Sequence, residues 1–167
     1  MKKTIVLTFT IILFSLVMFA QNVSNPKETK IYNPLADAKS DIESVIKKAK
    51  AEGKHVLLQL GGNWCGWCIL FDKKVKESDI LKSTMDKNYI VYHVNYDTVN
   101  KNEEVFASLG YPQRFGFPVF VILDGDGNRL HTQNSAYLEE GKGHSEKKIL
   151  NFFKHWSPEA LNPVNYK

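Results

Sequence analysis

Residues 61–68 read Gly-Gly-Asn-Trp-Cys-Gly-Trp-Cys, and this stretch holds both cysteines of the chain, Cys65 and Cys68. Three chemistries use two thiols at such a spacing: a structural disulfide, half of a metal site, and a redox pair. A bridge between residues three apart closes a very short loop, and chain entropy gives short loops the least stabilisation. A closed zinc site needs four ligands. Only two thiols are present, and His55, His93, His131, His144 and His155 include no pair at the spacing of a zinc motif. Disulfide exchange asks for less, one thiolate and a second thiol within reach of the mixed disulfide.

The flanking sequence places the motif. Upstream, His55 to Leu60 reads HVLLQL, a short apolar run that predicts a buried strand. Downstream, Cys68, Phe71 and Val75 recur at helical spacing. The cysteines therefore fall at a strand-to-helix turn, where unpaired N–H groups and the helix dipole favour an anion. Cys65, at the exposed helix start, is the expected nucleophile. Cys68, one turn further in, is the expected buried resolving thiol.

Other elements follow from periodicity and punctuation. Ile42, Val45, Ile46 and Ala49 predict a helix over 38–52, with a capping box at Ser40 and Glu43 and a stop at Gly53. A second helical piece is expected from Ser78 to about Lys87, then a strand over 89–96 and a short helix over 102–109. The run from Pro118, PVFVILDGDGNRLHT, predicts a β-hairpin turning at 124–128. Its DGDGN turn resembles the start of a calcium loop, but Arg129 stands where that loop needs glycine and Ser135 where it needs glutamate. Ile149, Phe152, Phe153 and Trp156 share one face of a helix that starts near Ser145 and is closed by Pro158. This alternation predicts an α/β fold with helices covering a mixed sheet.

With 167 residues the chain supports one ordinary domain. Lys2 and Lys3 precede an apolar run from Ile5 to Ala20, which reads as an export signal over 1–20, cleaved before Gln21. Uncleaved, the run is short for a membrane anchor, the lesser reading. The polar stretch 21–37 carries Pro26 and Pro34 and is expected to be an N-terminal arm, followed by one domain over 38–157 and a tail over 158–167. The net charge of +4 includes Lys2 and Lys3, too little to argue for a nucleic-acid partner.

The run HVLLQLGGNWCGWCILF (His55 to Phe71), together with GFPVFVILDGDGN (Gly116 to Asn128), resembles the thioredoxin superfamily. More narrowly it resembles exported thioredoxin-like thiol-disulfide oxidoreductases, in which a helix ending in an AEGK phrase precedes the active strand. The likeness covers about residues 38–156. It implies a thioredoxin fold, a central mixed β-sheet flanked by helices on both faces, with Cys65 and Cys68 as a redox-active disulfide and no added cofactor. It also implies that Trp64 lies beside the active site and that Pro118 is the family's cis-proline. Gly66, Trp67 and Phe117 would then border a substrate groove. The implied partners are proteins bearing disulfides or dithiols, and a membrane or periplasmic protein that exchanges electrons. Periplasm or secretion is the expected location.

Two positions depart from the family pattern. Gln59 aligns with the buried aspartate thought to accept a proton from the second cysteine, and Gln cannot take one at neutral pH. His93 aligns with the lysine that partners that aspartate; an imidazole titrates near pH 6.5 and is a candidate proton relay for Cys68. Direction is set by the surroundings of the dithiol, because reductants and oxidants of one fold differ by ~150 mV, roughly 7 kcal/mol. Reduction or isomerisation is the expected direction, since an oxidising compartment needs a reductant for mispaired disulfides. The alternative is a non-catalytic binding or chaperone-like module using Trp64, Trp67, Tyr111 and Phe117 as an apolar surface.

Overall fold

The computed structural model describes residues 30–167, so the expected export signal and residues 21–29 of the arm lie outside the described residues. The chain opens with helix α1 (Ala38–Glu52), which leads into strand β1 (His55–Gly61). Helix α1 ends where expected, at Gly53 in a left-handed conformation. Its start differs from the capping box predicted at Ser40. Asp37 is the N-cap and accepts from the Ser40 backbone N–H, because a carboxylate three residues ahead reaches that amide first.

Helices α2 (Gly66–Glu77) and α3 (Asp79–Asn88) follow β1, then strand β2 (Tyr89–Asn95) and the short helix α4 (Glu103–Ser108). Strands β3 (Val119–Leu123) and β4 (Arg129–Asn134) form the hairpin. Its turn is closed by Asp124, whose carboxylate accepts from the Asp126 and Asn128 amides, while Asp126 pairs with Lys50 at 2.6 Å. A small ladder of β5 (Glu139–Glu140) and β6 (Gly143–His144) precedes helix α5 (Glu146–His155). This ladder is absent from the sequence reading, since two-residue strands carry no period.

The four-stranded sheet runs β2-β1-β3-β4, with β1 parallel to β2 and antiparallel to β3. Both faces are covered, as a fold of helices on a mixed sheet requires. Val56, Leu58 and Leu60 of β1 pack with Val94, Val105, Phe106, Val119 and Val121 on the face carrying α1 and α4. Leu57 packs with Phe71, Val75, Leu81, Phe120, Ile122, Ile149 and Phe153 on the face carrying α2, α3 and α5. Each buried Leu, Ile or Phe contributes about 1.5–3 kcal/mol, so the paired cores fix which side every β1 residue takes. The odd positions, Gln59 and Gly61 among them, therefore face α2.

Candidate active site

The cysteine turn is built by hydrogen bonds within a few residues. The Cys65 amide donates to the Gly62 carbonyl at 3.0 Å, and Cys65 is the N-cap of α2, its Sγ accepting from the Cys68 amide at 3.2 Å. Cys65 and Cys68 form a disulfide. Cys68 is fully buried, and Cys65 is only 5% exposed. The exposed position expected for Cys65 is thus closed in, because Ile31 and Phe117 pack against the cysteines together with Tyr32.

Around Cys65 the surroundings are aromatic. Trp64 is exposed, its Nε1 donates to the Tyr96 carbonyl at 2.7 Å, and its ring meets the edge of Phe117 at 5.6 Å. The Phe117–Pro118 peptide is cis, and Phe117 also lies against Tyr96 and Phe106. Gly66 opens α2 with nothing within 4 Å of the position a Cβ would take. Trp67, about one third exposed, meets His144 edge-on at 5.3 Å.

Around Cys68 the surroundings are polar and buried. Gln59 donates from Nε2 to the Cys68 carbonyl at 3.1 Å and to the Tyr32 hydroxyl at 3.0 Å. Tyr32, like Asp72 nearby, does not stand out in the sequence as a site residue. The composition of 21–37 predicts an unpacked arm, yet Tyr32 is buried because Asn63 clamps residues 31–32, a strap of chain ahead of α1. The Asn63 side-chain oxygen accepts from the Ile31 and Tyr32 amides, and its Nδ2 donates to the Tyr32 carbonyl. An aromatic residue in a polar stretch, with Asn63 between the glycines and Trp64, was the available signal.

His93 pairs in register with Gln59 and so lies on the same side of the sheet. Its ring meets Tyr32 edge-on at 5.4 Å, and its Nε2 stands 3.8 Å from Asp72. No hydrogen bond joins His93 to Cys68 among the described residues; the ring of Tyr32 is its neighbour instead. Asp72 is a buried carboxylate one turn after Cys68 on α2 and pairs with Lys76 at 2.8 Å. Burial lowers the His93 pKa, partly opposed by Asp72 and reinforced by Lys76. Burial also raises the Tyr32 pKa far above the ordinary phenol value, so the hydroxyl stays protonated.

His144 sits on the other flank, edge-on to Trp67 and Phe71, with both ring nitrogens buried and without a partner among the described residues. Burial lowers its pKa, which keeps the ring neutral. Among the described residues no group of three or more His, Cys, Asp and Glu is arranged to hold a metal, and no helix is long and apolar enough to cross a membrane.

A family model described as thioredoxin-like matches residues 37–125. No curated protein matches the chain. Among solved structures, a disulphide isomerase from Xylella fastidiosa Temecula1 is similar at 25% identity and a TM-score of 0.67, covering 75% of this chain and 95% of its own. The oxidised C-terminal domain of DsbD from Neisseria meningitidis is similar at 15% identity and a TM-score of 0.54, covering 72% of this chain and 97% of its own. A thioredoxin from Thermus thermophilus is similar at 17% identity and a TM-score of 0.51, covering 68% and 81%.

Proposed function

The chain belongs to the thioredoxin-like family, and from that premise we propose that it is an exported thiol-disulfide oxidoreductase that reduces or isomerises protein disulfides through Cys65 and Cys68. The observation that carries the reading is the cysteine pair at the start of α2, bridged, with Cys65 Sγ at the helix N-terminus and Phe117 packed against it. Unpaired amides and the dipole there stabilise a Cys65 thiolate. Similarity to a disulphide isomerase over most of both chains supports the same reading.

The exchange balances as follows. Cys65 thiolate attacks one sulfur of a substrate disulfide, and the other substrate sulfur leaves as a thiolate. Cys68, once deprotonated, attacks Cys65 Sγ, which breaks the mixed disulfide, forms the Cys65–Cys68 bond and expels the second substrate thiolate. Two electrons pass to the substrate, and the two thiol protons reach its thiolates through solvent. In isomerisation a substrate thiol, rather than Cys68, attacks the mixed disulfide. A partner protein bearing a dithiol returns the electrons by the same steps in reverse.

Trp64, Gly66, Trp67, Phe117 and Pro118 form the wall against which a substrate chain lies, the aromatic rings giving apolar contact at low entropic cost. Gln59 anchors the α2 backbone through the Cys68 carbonyl, and His93 faces Asp72 on the Cys68 side. Export rests on Lys2, Lys3 and the apolar run to Ala20. N-terminal sequencing of the protein from the periplasmic fraction is expected to start at Gln21.

Insulin reduction by dithiothreitol tests the activity in wild type, Cys65→Ser and Cys68→Ser. Turnover by wild type and its loss in both variants is expected, with Cys68→Ser accumulating a mixed disulfide. A wild-type protein that leaves insulin reduction unaccelerated is a binding module instead. Equilibration of the pair with glutathione gives its potential, and a value near the strong-oxidant end would reverse the proposed direction.

A further inference from the structure

A Cβ built on Gly61 would fall 2.5 Å from Cys68 Sγ and 2.8 Å from the Tyr32 hydroxyl. The sulfur and the phenol oxygen therefore both close in on Gly61, at a position too tight for any side chain. Gln59 decides what the phenol offers there. The Cys68 carbonyl can only accept, so the Gln59 group facing it is the amide NH2, and the same nitrogen donates to the Tyr32 oxygen. The hydroxyl proton of Tyr32 is left with no acceptor among the described residues, and its direction is free.

We propose that Tyr32 is the hydrogen-bond donor to the Cys68 thiolate, and so sets the pH at which that sulfur attacks a mixed disulfide. This rests on reading the chain as a thiol-disulfide oxidoreductase. In the bridged form neither sulfur is charged. On reduction Cys68 becomes a buried thiol beside the apolar rings of Tyr32 and Phe117, where an unassisted anion is costly. Because its own proton is held firmly, Tyr32 acts as a donor and not as a base. The other titratable and charged groups on this side are His93 on β2, edge-on to the Tyr32 ring at 5.4 Å, and Asp72 and Lys76 on α2, paired with each other at 2.8 Å, Asp72 standing 3.8 Å from His93.

The test uses the full chain, reduced and mixed with the chromogenic disulfide dithiobis-nitrobenzoate. Cys65 releases one thionitrobenzoate and carries the other. In a concentration-independent second phase Cys68 displaces it, its proton passing to buffer. Tyr32→Phe keeps the packed ring and removes the donor, and is expected to move the pH midpoint of that phase up by about one unit. A more basic thiolate is also a better nucleophile, with a Brønsted slope near 0.4–0.5, so the two profiles should cross. The variant is expected to be about threefold slower near pH 7 and about threefold faster on the alkaline plateau.

An unchanged midpoint overturns the proposal, and so does an equal fall at every pH, which would make Tyr32 a packing residue. A wild-type protein without the second phase overturns the oxidoreductase reading and this one together, whereas a normal wild-type phase with an unmoved Tyr32→Phe profile removes Tyr32 alone. If Tyr32→Phe does not fold, Asn63→Ala, which releases the strap from the turn after β1, is expected to raise the midpoint in the same direction, and an unmoved midpoint there overturns the proposal.

Discussion

Around Cys65 the neighbours are aromatic and partly exposed: Trp64 and Trp67 from the same turn, and Phe117 from the distant loop ahead of β3. Around Cys68 they are mostly buried and polar and are drawn from separate segments: Tyr32 from the strap, Gln59 and Gly61 from β1, Asp72 from α2 and the half-buried His93 from β2. One disulfide thus joins a sulfur facing a surface built for contact to a sulfur facing a floor built for hydrogen bonding. The rings of the mouth are held by few hydrogen bonds, while the floor is tied to β1 and α2 through Gln59 and to residues 31–32 through Asn63.

The two glycines beside the cysteines break or sustain that contrast most directly. Gly61→Ala puts a methyl against Cys68 Sγ and the Tyr32 hydroxyl and is expected to destabilise by about 1–3 kcal/mol in chemical denaturation. Gly66→Ala meets open space at the first position of α2 and is expected to be neutral or stabilising by up to roughly 1 kcal/mol. Equal costs at the two positions would erase the contrast.

A smaller effect, of opposite sign, is expected at His144. Both of its nitrogens are buried without partners among the described residues, so His144→Phe removes an unmet hydrogen-bonding demand and should raise unfolding stability by about 1 kcal/mol. A fall in thermal midpoint would show that the imidazole is needed there. Trp64→Ala removes one exposed ring and its bond to the Tyr96 carbonyl, so stability should drop by only about 0.5–1 kcal/mol. Insulin turnover should fall more than stability does, chiefly through KM.

The smallest expected effect is on pH dependence at the floor. Burial holds the folded-state pKa of His93 below its unfolded value near 6.5. The unfolded chain therefore binds more protons, and the stability contributed by neutral His93 is present above about pH 6.5 and is lost as pH falls toward the folded value. Burial of His144 acts in the same direction. Unfolding free energy measured from pH 7 down to pH 5 should decline in wild type and decline less in His93→Gln. A steeper decline in the variant would mean that Asp72, not burial, dominates at His93.

Much of the mouth was legible because its residues are neighbours in the chain. C-x-x-C between an apolar run and a helical period places the pair at a helix start, and the second motif at Gly116 to Asn128 supplies the facing loop. The floor was only half legible. Gln59 and His93 stood out as departures from a family pattern, and their register is that of direct strand partners. Tyr32 and Asp72 did not stand out. A tyrosine between two proline-bearing polar stretches reads as solvated, and an aspartate among Lys73, Lys74 and Lys76 reads as part of a charged helix face.

The main helices and strands, the turn that carries the cysteines and the reaction class those cysteines serve are legible in the sequence, whereas the short β5–β6 ladder is not. The legible features depend on period, punctuation and spacing, which are local properties of the chain. Tertiary structure alone decided that Tyr32 is folded back under Asn63, that Gln59 turns its amide toward Cys68, and that a sulfur and a phenol oxygen both close in on Gly61. Every residue of β1 is buried, so no alternation along it tells which side a position faces. Only the packing of helices on both faces of the sheet settles that, and with it the surroundings of the buried sulfur.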